Sequence, residues 1–307
     1  MECNRMEYRS LGRSSLKVSR IGLGCVTFGR EINEDTAFRV MDHAISRGIN
    51  LFDTAEVYSK GLSEEVVGKW IESRGSRSKI ILATKVATNL TRERVVTSCE
   101  ASLRRLKTDH IDLFQLHHFD PKNPQEPVLE AMDLLVKQGK VLSIGCCNHA
   151  AWQVCKALWK QDVNKWARFD SVQECYNLTI RDVENEALPL VQDQQLGFLG
   201  YSPLGAGFLT GKYGRDRMIP PGTRFDVVDG HSDPYFFEKS FSIVDALREK
   251  SAKLGVSMIG LALAWVLGNP SITTMLIGAR QISHIDQAFD ALAFNMSLEL
   301  RNELSNM

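Results

Sequence analysis

Three short apolar runs between residues 50 and 117 recur at one spacing, and each ends on an ionisable side chain. Asn50-Leu51-Phe52-Asp53, Ile80-Ile81-Leu82-Ala83-Thr84-Lys85 and Ile111-Asp112-Leu113-Phe114-Gln115-Leu116-His117 set Asp53, Lys85 and His117 32 residues apart at each step. That step is about the length of one strand-plus-helix unit. It predicts three neighbouring strands, each delivering one polar group to the same end of a sheet.

The pattern of apolar run, turn and helical stretch continues along the chain. Strands are expected at 21–25, 50–53, 80–85, 111–116, 142–146, 171–175, 197–201 and 273–277. Helices are expected at about 34–48, 62–74, 91–106, 125–138, 149–161, 186–195, 240–268 (as two helices) and 283–293. Asn33-Glu34-Asp35 opens the first helix and Arg47-Gly48 closes it, Ser63 precedes Glu64-Glu65 in the second, and Gln138-Gly139 ends the fourth. Residues 6–20 read as a hairpin turning at Gly12-Arg13-Ser14-Ser15. Nearly continuous apolar strands alternating with helices call for a parallel sheet covered by helices. Eight units close most naturally into a (β/α)₈ TIM barrel, an α/β fold, with the N-terminal β-hairpin at one end. The competing open doubly wound sheet would carry GxGxxG after its first strand, and Gly22-Leu23-Gly24-Cys25-Val26-Thr27 places Thr27 at the third glycine. The 307 residues are expected to form one domain, since no linker divides them. The long loop after strand seven, 212–240, holds Pro220-Pro221-Gly222 and is expected to be functional.

Lys plus Arg equals Asp plus Glu, so no global field draws nucleic acid or an anionic membrane, and any anion site must be local. The seven cysteines are odd in number and show no CxxC spacing, which argues against a disulfide framework and a zinc site, and no metal is expected. With Met1-Glu2-Cys3-Asn4-Arg5 lacking an apolar leader core and no membrane-length apolar run, a reducing, cytoplasmic setting is expected.

In a barrel the C-terminal strand ends carry the chemistry, so Asp53, Lys85 and His117 should converge, and Tyr58 follows Asp53 closely enough to return to the same place. A Lys ammonium beside a phenol should pull the Tyr pKa down from about 10, with Asp53 partly neutralising the Lys. Tyr58 would then serve as proton donor, and His117 as hydrogen-bond donor to a substrate oxygen. Singly, each residue is as often a surface ion pair or a packing group.

These residues carry a resemblance. From about Tyr8 to Leu292 the chain resembles the aldo-keto reductases, in the branch holding potassium-channel β subunits and bacterial and plant reductases. The motifs are Leu11-Gly12-Arg13-Ser14, Asn50-Leu51-Phe52-Asp53-Thr54-Ala55-Glu56-Val57-Tyr58, Ala83-Thr84-Lys85, Asp112-Leu113-Phe114-Gln115-Leu116-His117, Tyr201-Ser202-Pro203-Leu204-Gly205, Leu209-Thr210-Gly211-Lys212-Tyr213 and Leu276-Ile277-Gly278-Ala279. The resemblance implies a catalytic tetrad of Asp53, Tyr58, Lys85 and His117, with hydride passing between NADP(H) and a carbonyl and Tyr58 as general acid. It implies a nicotinamide site at Cys147, Asn148 and Gln173, the ring stacked on Tyr201, with Gly24, Cys25 and Asp53 nearby. Phosphates would meet Ser202, Pro203, Leu204, Gly205, Gly207, Lys212 and Arg224, and the 2′-phosphate end Gly278, Arg280, His284 and Gln287. The chain departs from relatives at Cys147 (serine is usual), His284 (Gln) and Ala288 (Asn), which bears on cofactor preference. Cys146-Cys147 also admits a redox reading, against that of buried structural thiols.

Two functions follow from the resemblance: an NADP-dependent reductase of aldehydes or ketones, or a redox-sensing subunit like the channel β subunits, binding NADPH with little turnover. The presence of His117, which those subunits lack, favours the enzyme. The partner expected is a small carbonyl or alcohol, in a monomer or homo-oligomer. Phe28, Glu31, Val57, Tyr58, His117, His118 and Phe119 are expected around the substrate. Glu31 and His118 favour a hydroxylated one such as a keto sugar, because buried acceptors select partners that donate. Relatives often carry Arg at His118, so a supporting role is expected there rather than catalysis.

Overall fold

A computed structural model describes residues 6–307; residues 1–5, Cys3 among them, lie outside the described part. The hairpin pairs β1 (Tyr8–Ser10) with β2 (Lys17–Ser19). The barrel strands are β3 (Ile21–Gly24), β4 (Leu51–Asp53), β5 (Ile81–Val86), β6 (Ile111–Leu116), β7 (Val141–Cys147), β8 (Phe169–Cys175), β9 (Gly197–Tyr201) and β10 (Thr274–Gly278). Every neighbouring pair is parallel and β10 closes on β3, so the order is that of the chain. Closure removes the open-sheet alternative.

The helices are α1 (Glu34–Ser46), α2 (Leu62–Arg74), α3 (Arg92–Leu106), α4 (Gln125–Lys137), α5 (Ala151–Asn164), α6 (Ala187–Asp193), α7 (Arg224–Val227), α8 (Glu238–Leu254), α9 (Met258–Leu267), α10 (Ile282–Ala293) and α11 (Leu298–Ser305). Asn33 caps α1 by accepting from the Thr36 N–H, and the same device at Thr91, Ser257 and Ser297 starts α3, α9 and α11. Ser63 does not cap α2. It lies inside the helix, buried, and donates to the Cys25 carbonyl at 2.7 Å, while left-handed Gly61 precedes the helix. α5 begins after His149, whose Nδ1 lies 2.8 Å from the Cys147 carbonyl, so residues 149 and 150 belong to the turn. The 240–268 region divides into α8 and α9, which meet at 100° after left-handed Gly255.

Side chains alternate along a strand, so residues two apart share a face. One inward row, Leu51, Ala83, Leu113, Leu199 and Leu276, packs with Leu11 and Val18 of the hairpin. The hairpin thus plugs the N-terminal mouth. Its turn needs glycine at Gly12, where φ is +57° and a Cβ would stand 2.2 Å from the Asp170 carbonyl oxygen. The opposite strand face packs against the helices, as where Phe52 stacks on Trp70 at 5.3 Å.

The 212–240 segment carries a small core of its own. Tyr213 stacks on Phe225 at 4.4 Å, Phe225 on Tyr235 at 5.7 Å and Tyr235 on Phe208 at 5.6 Å, which holds the segment against the barrel rim. Among the described residues no single helix is long and apolar enough to cross a membrane, and no group of His, Cys, Asp and Glu is placed to hold a metal.

Candidate active site

Moving two residues along each strand from the apolar row reaches its C-terminal end and changes the chemistry completely. Leu51 gives way to Asp53, Ala83 to Lys85, Leu113 to Gln115 and Leu199 to Tyr201, and on β8 buried Ser171 is followed two residues on by Gln173. Lys85 is fully buried, and its Nζ donates to Asp53 Oδ2 at 2.6 Å, to the Thr54 carbonyl at 2.8 Å and to the Tyr58 hydroxyl at 3.4 Å. The second Asp53 oxygen accepts from the Gln173 amide at 3.0 Å and the Gln115 amide at 3.4 Å. With its lone pairs taken up, the buried pair is satisfied. Tyr58 reaches it from a 3₁₀ turn, Tyr58–Gly61, in which Ser59 and Lys60 adopt left-handed φ of +50° and +56°. Such backbone costs roughly 1–2 kcal/mol per residue and holds the phenol where a relaxed turn would not.

The electrostatics differ in sign from the expectation for Tyr58. Burial pushes its hydroxyl up to about 12, outweighing the lowering by Lys85. Burial opposes the charge on Lys85, but Asp53 and Tyr58 outweigh it and the ammonium is held above its usual range. Burial, then Lys85, then His118 push His117 down to about 2, so its ring is neutral throughout the physiological range. The His117 ring meets Tyr58 edge-on at 5.6 Å and lies flat against His118 at 4.7 Å, with Nδ1 buried and without a partner among the described residues.

These groups floor a cleft of about 470 Å³ that runs from Tyr58 and His117 past Asn148, Gln173 and Tyr201 to Lys212, Arg280, His284 and Gln287. Gly24, Cys147, Ser202, Pro203, Leu204, Gly207, Arg224, Gly278, His118 and Glu31 also line it. Asn148 is held in a left-handed turn, φ +55°, donating to the His117 carbonyl at 2.9 Å and accepting from the Tyr201 hydroxyl at 2.7 Å. Cys147 is buried there, its Sγ 3.1 Å from the Asn148 amide and 3.7 Å from Gln173 Oε1. Burial raises its thiol well above the ordinary range, as it does for Cys146, and the six described cysteines are all free. A protonated, buried thiol suits the structural reading of the pair better than the redox one.

The far end gathers positive charge. At Gly207, φ +95°, any Cβ would stand 2.9 Å from Lys212 Nζ. Burial and Arg280 lower the Lys212 pKa, and burial, Arg280 and Lys212 together lower that of His284. Arg280 Nη1 donates to the Gly222 carbonyl at 2.9 Å, tying the 212–240 segment to the end of β10. Ala288 is fully buried and contributes only packing.

Several residues read from the sequence stand elsewhere. Phe28 is fully buried in the main core, because the short loop after β3 folds its ring inward, and it does not line the cleft. Cys25 and Gly205 are buried beneath the cleft wall; a Cβ on Gly205 would meet the Tyr235 ring at 2.8 Å. Glu31 reaches the cleft, but Arg30 at 2.8 Å and Arg224 at 2.9 Å share its carboxylate, so it is no free acceptor. Phe119 packs edge-on against His149 and Trp152, and Val57 is exposed. Gln115, which supports Asp53, and Thr27, Ala206, His231, Ile259 and Leu263 on the cleft wall were not singled out by the motifs. For Gln115 the signal was present, two residues after inward Leu113 on the same strand.

The Aldo/keto reductase family model matches residues 20–305. The chain is 36% identical to the uncharacterized oxidoreductase YrpG of Bacillus subtilis, over 98% of this chain and 96% of the relative. It is 34% identical to the aldo-keto reductase YhdN of the same organism, over 98% and 93%. To a probable voltage-gated potassium channel subunit beta of Arabidopsis thaliana it is 32% identical, over 94% and 91%. With its closed barrel, plugged at one mouth and polar at the other, the chain belongs to the aldo/keto reductase family.

Proposed function

We propose that the chain is an NADP(H)-dependent oxidoreductase that reduces an aldehyde or ketone to an alcohol, reversibly, at the Asp53–Tyr58–Lys85–His117 cluster. The observation that carries this reading is one continuous cleft with two uncharged proton donors at one end and a knot of uncompensated cations at the other. A dinucleotide phosphate fits that knot. Among the described residues neither Lys212 nor Arg280 has a carboxylate partner, and the cleft-wall carboxylates Asp53 and Glu31 are already paired. Lys212, Arg280, His284 and Gln287 would hold the phosphate end, with Asn148, Gln173 and Tyr201 at the nicotinamide, which supplies or accepts the hydride.

The chain's own residues manage the proton. Tyr58 Oη–H gives its proton to the oxygen of the reduced carbonyl, and Lys85 stabilises the phenolate left behind. The high Tyr58 pKa keeps that proton in place until charge develops on the substrate. Neutral His117 donates a hydrogen bond to the same oxygen, adding no repulsion against Lys85. Asp53, held by two glutamines, keeps the Lys85 head group aimed. His118 on the cleft wall offers a hydrogen bond to a hydroxyl, which favours keto sugars and other hydroxylated carbonyls.

Steady NADPH oxidation across a panel of apolar aldehydes, hydroxyaldehydes and keto sugars tests the reading. Turnover with carbonyls is expected, fastest on hydroxylated ones. Tight NADPH binding with no turnover on any of them would favour a redox-sensing subunit instead, and preference for apolar aldehydes would remove His118 from substrate choice.

A further inference from the structure

We propose that His284 makes this protein's choice of a 2′-phosphorylated dinucleotide depend on pH, its ring taking up a proton as the phosphate binds. The inference rests on the NADP(H) reading above and concerns a side chain to which that reading gives only a place on the wall.

His284 stands in the first turn of α10, on the cleft wall beside Lys212, Arg280 and Gln287. The Arg280 N–H donates to His284 Nδ1 at 3.3 Å, so this nitrogen is an acceptor and the ring proton sits on Nε2. Everything charged that faces the ring is positive. Arg280 comes from the turn before α10 and Lys212 from the segment after β9. From the loop after β3, uncharged Thr27 donates to the Ala279 carbonyl at 3.4 Å, and Glu31, which also lines the cleft, is paired with Arg30 and Arg224. α9 packs against α10 and carries no ionisable residue. α1 contributes His43 and Arg47, both engaged by Asp286 on α10, at 2.9 Å and 2.5 Å. The positive end of the helix dipole adds to the same effect. Burial, Arg280 and Lys212 thus hold the ring's pKa below the ordinary imidazole value and favour its neutral form.

A phosphate dianion among these groups reverses the sign of the local field, and an opposite charge a few ångströms away favours the charged ring. Protonation at Nδ1 turns an acceptor into a donor and releases the Arg280 N–H, so both N–H groups become available to phosphate oxygens. A glutamine at this position offers one fixed amide and takes up no proton. NADH lacks the phosphate and leaves the ring neutral. Because the complex binds more protons than the free protein, NADPH affinity falls as pH rises from the depressed pKa of the free ring to its raised pKa in the complex, and is level on either side. The phosphate's own ionisation near pH ~6 acts in the opposite sense, which sets the test at pH 7 and above.

Titration calorimetry with NADPH and NADH at pH 7, in buffers of different ionisation enthalpy, reads the proton directly. Wild type is expected to take up about half a proton per NADPH and none per NADH, with NADPH affinity falling roughly twofold from pH 7 to 8.5. His284→Gln should abolish both effects, and His284→Asn serves the same purpose if the glutamine variant does not fold. Equal proton exchange in wild type and variants would overturn the inference. Equal affinity for NADPH and NADH in wild type would instead overturn the 2′-phosphate reading beneath it, and the two failures are distinguishable.

Discussion

The two mouths of the barrel are built from the same strands, often from residues only two positions apart, and they could hardly differ more. At the N-terminal mouth Leu51, Ala83, Leu113, Leu199 and Leu276 meet the hairpin's Leu11 and Val18 in a mainly apolar cluster. At the C-terminal mouth Asp53, Lys85, Gln115, Gln173 and Tyr201 hold a buried ion pair with its amide props. The first mouth gains its stability from area removed from water. The second sacrifices stability for geometry, with a buried charge pair, left-handed backbone at Ser59, Lys60 and Asn148, and an unpartnered His117 Nδ1. Fold and chemistry are thereby separated along one axis, which leaves the loops of the polar end free to specialise.

Substitutions at each end should separate the two roles. The largest effect is expected from Tyr58→Phe, which removes the proton and keeps the ring: turnover should fall about 10²–10⁴-fold with NADPH affinity and melting temperature little changed. A near-normal rate would place the acid elsewhere. Leu113→Ala, at the plugged mouth, should cost about 2–5 kcal/mol in urea unfolding while the folded fraction keeps its turnover number. A collapse of turnover per folded molecule would mean that the two mouths are coupled.

Acid should probe the polar end, where His149 follows β7. Burial pushes His149 down to about 4, so between pH 6.5 and 5 the unfolded chain binds a proton that the folded chain refuses, and stability falls with pH by about 2 kcal/mol for this group. Buried Glu174, held up to about 7, acts with the opposite sign, so the comparison must be between wild type and His149→Asn. The variant should lose less stability on going from pH 7 to 5, and parallel curves would show that the buried His149 ring does not carry the acid response. The smallest effect is expected from Arg280→Ala, which should weaken NADPH about tenfold and NADH much less, as for a charge-assisted hydrogen bond. Equal weakening of both would take Arg280 off the phosphate.

Much of this division was legible in the sequence. Buried parallel strands read as continuous apolar runs, so all eight appeared, and the polar residues ending three of them marked the open mouth. What was lost was whatever depends on depth. Lys85 does lower the Tyr58 pKa, but the burial that outweighs it has no signature in a motif. Phe28 and Glu31 look alike as rim candidates until one turns inward and the other is claimed by two arginines. α11 escaped because only Leu304 of its eight residues is buried, too little to make a periodic stripe.

The two-residue alternation described for the inward rows also makes the site a matter of parity. Asp53 pairs with Ala83 and Lys85 with Gln115 in the ladder, and the functional groups carried on these strands sit on the same phase of the pleat. Losing one residue within β5 would carry Thr84 or Val86 into the lumen in place of Lys85 and turn the ammonium toward the helices. Point changes dismantle such a centre one group at a time, whereas a frame slip inside a strand would exchange a whole wall of it. Insertions and deletions are therefore tolerable only outside the strands, and variation in length is channelled into the same loops that shape the mouth of the cleft.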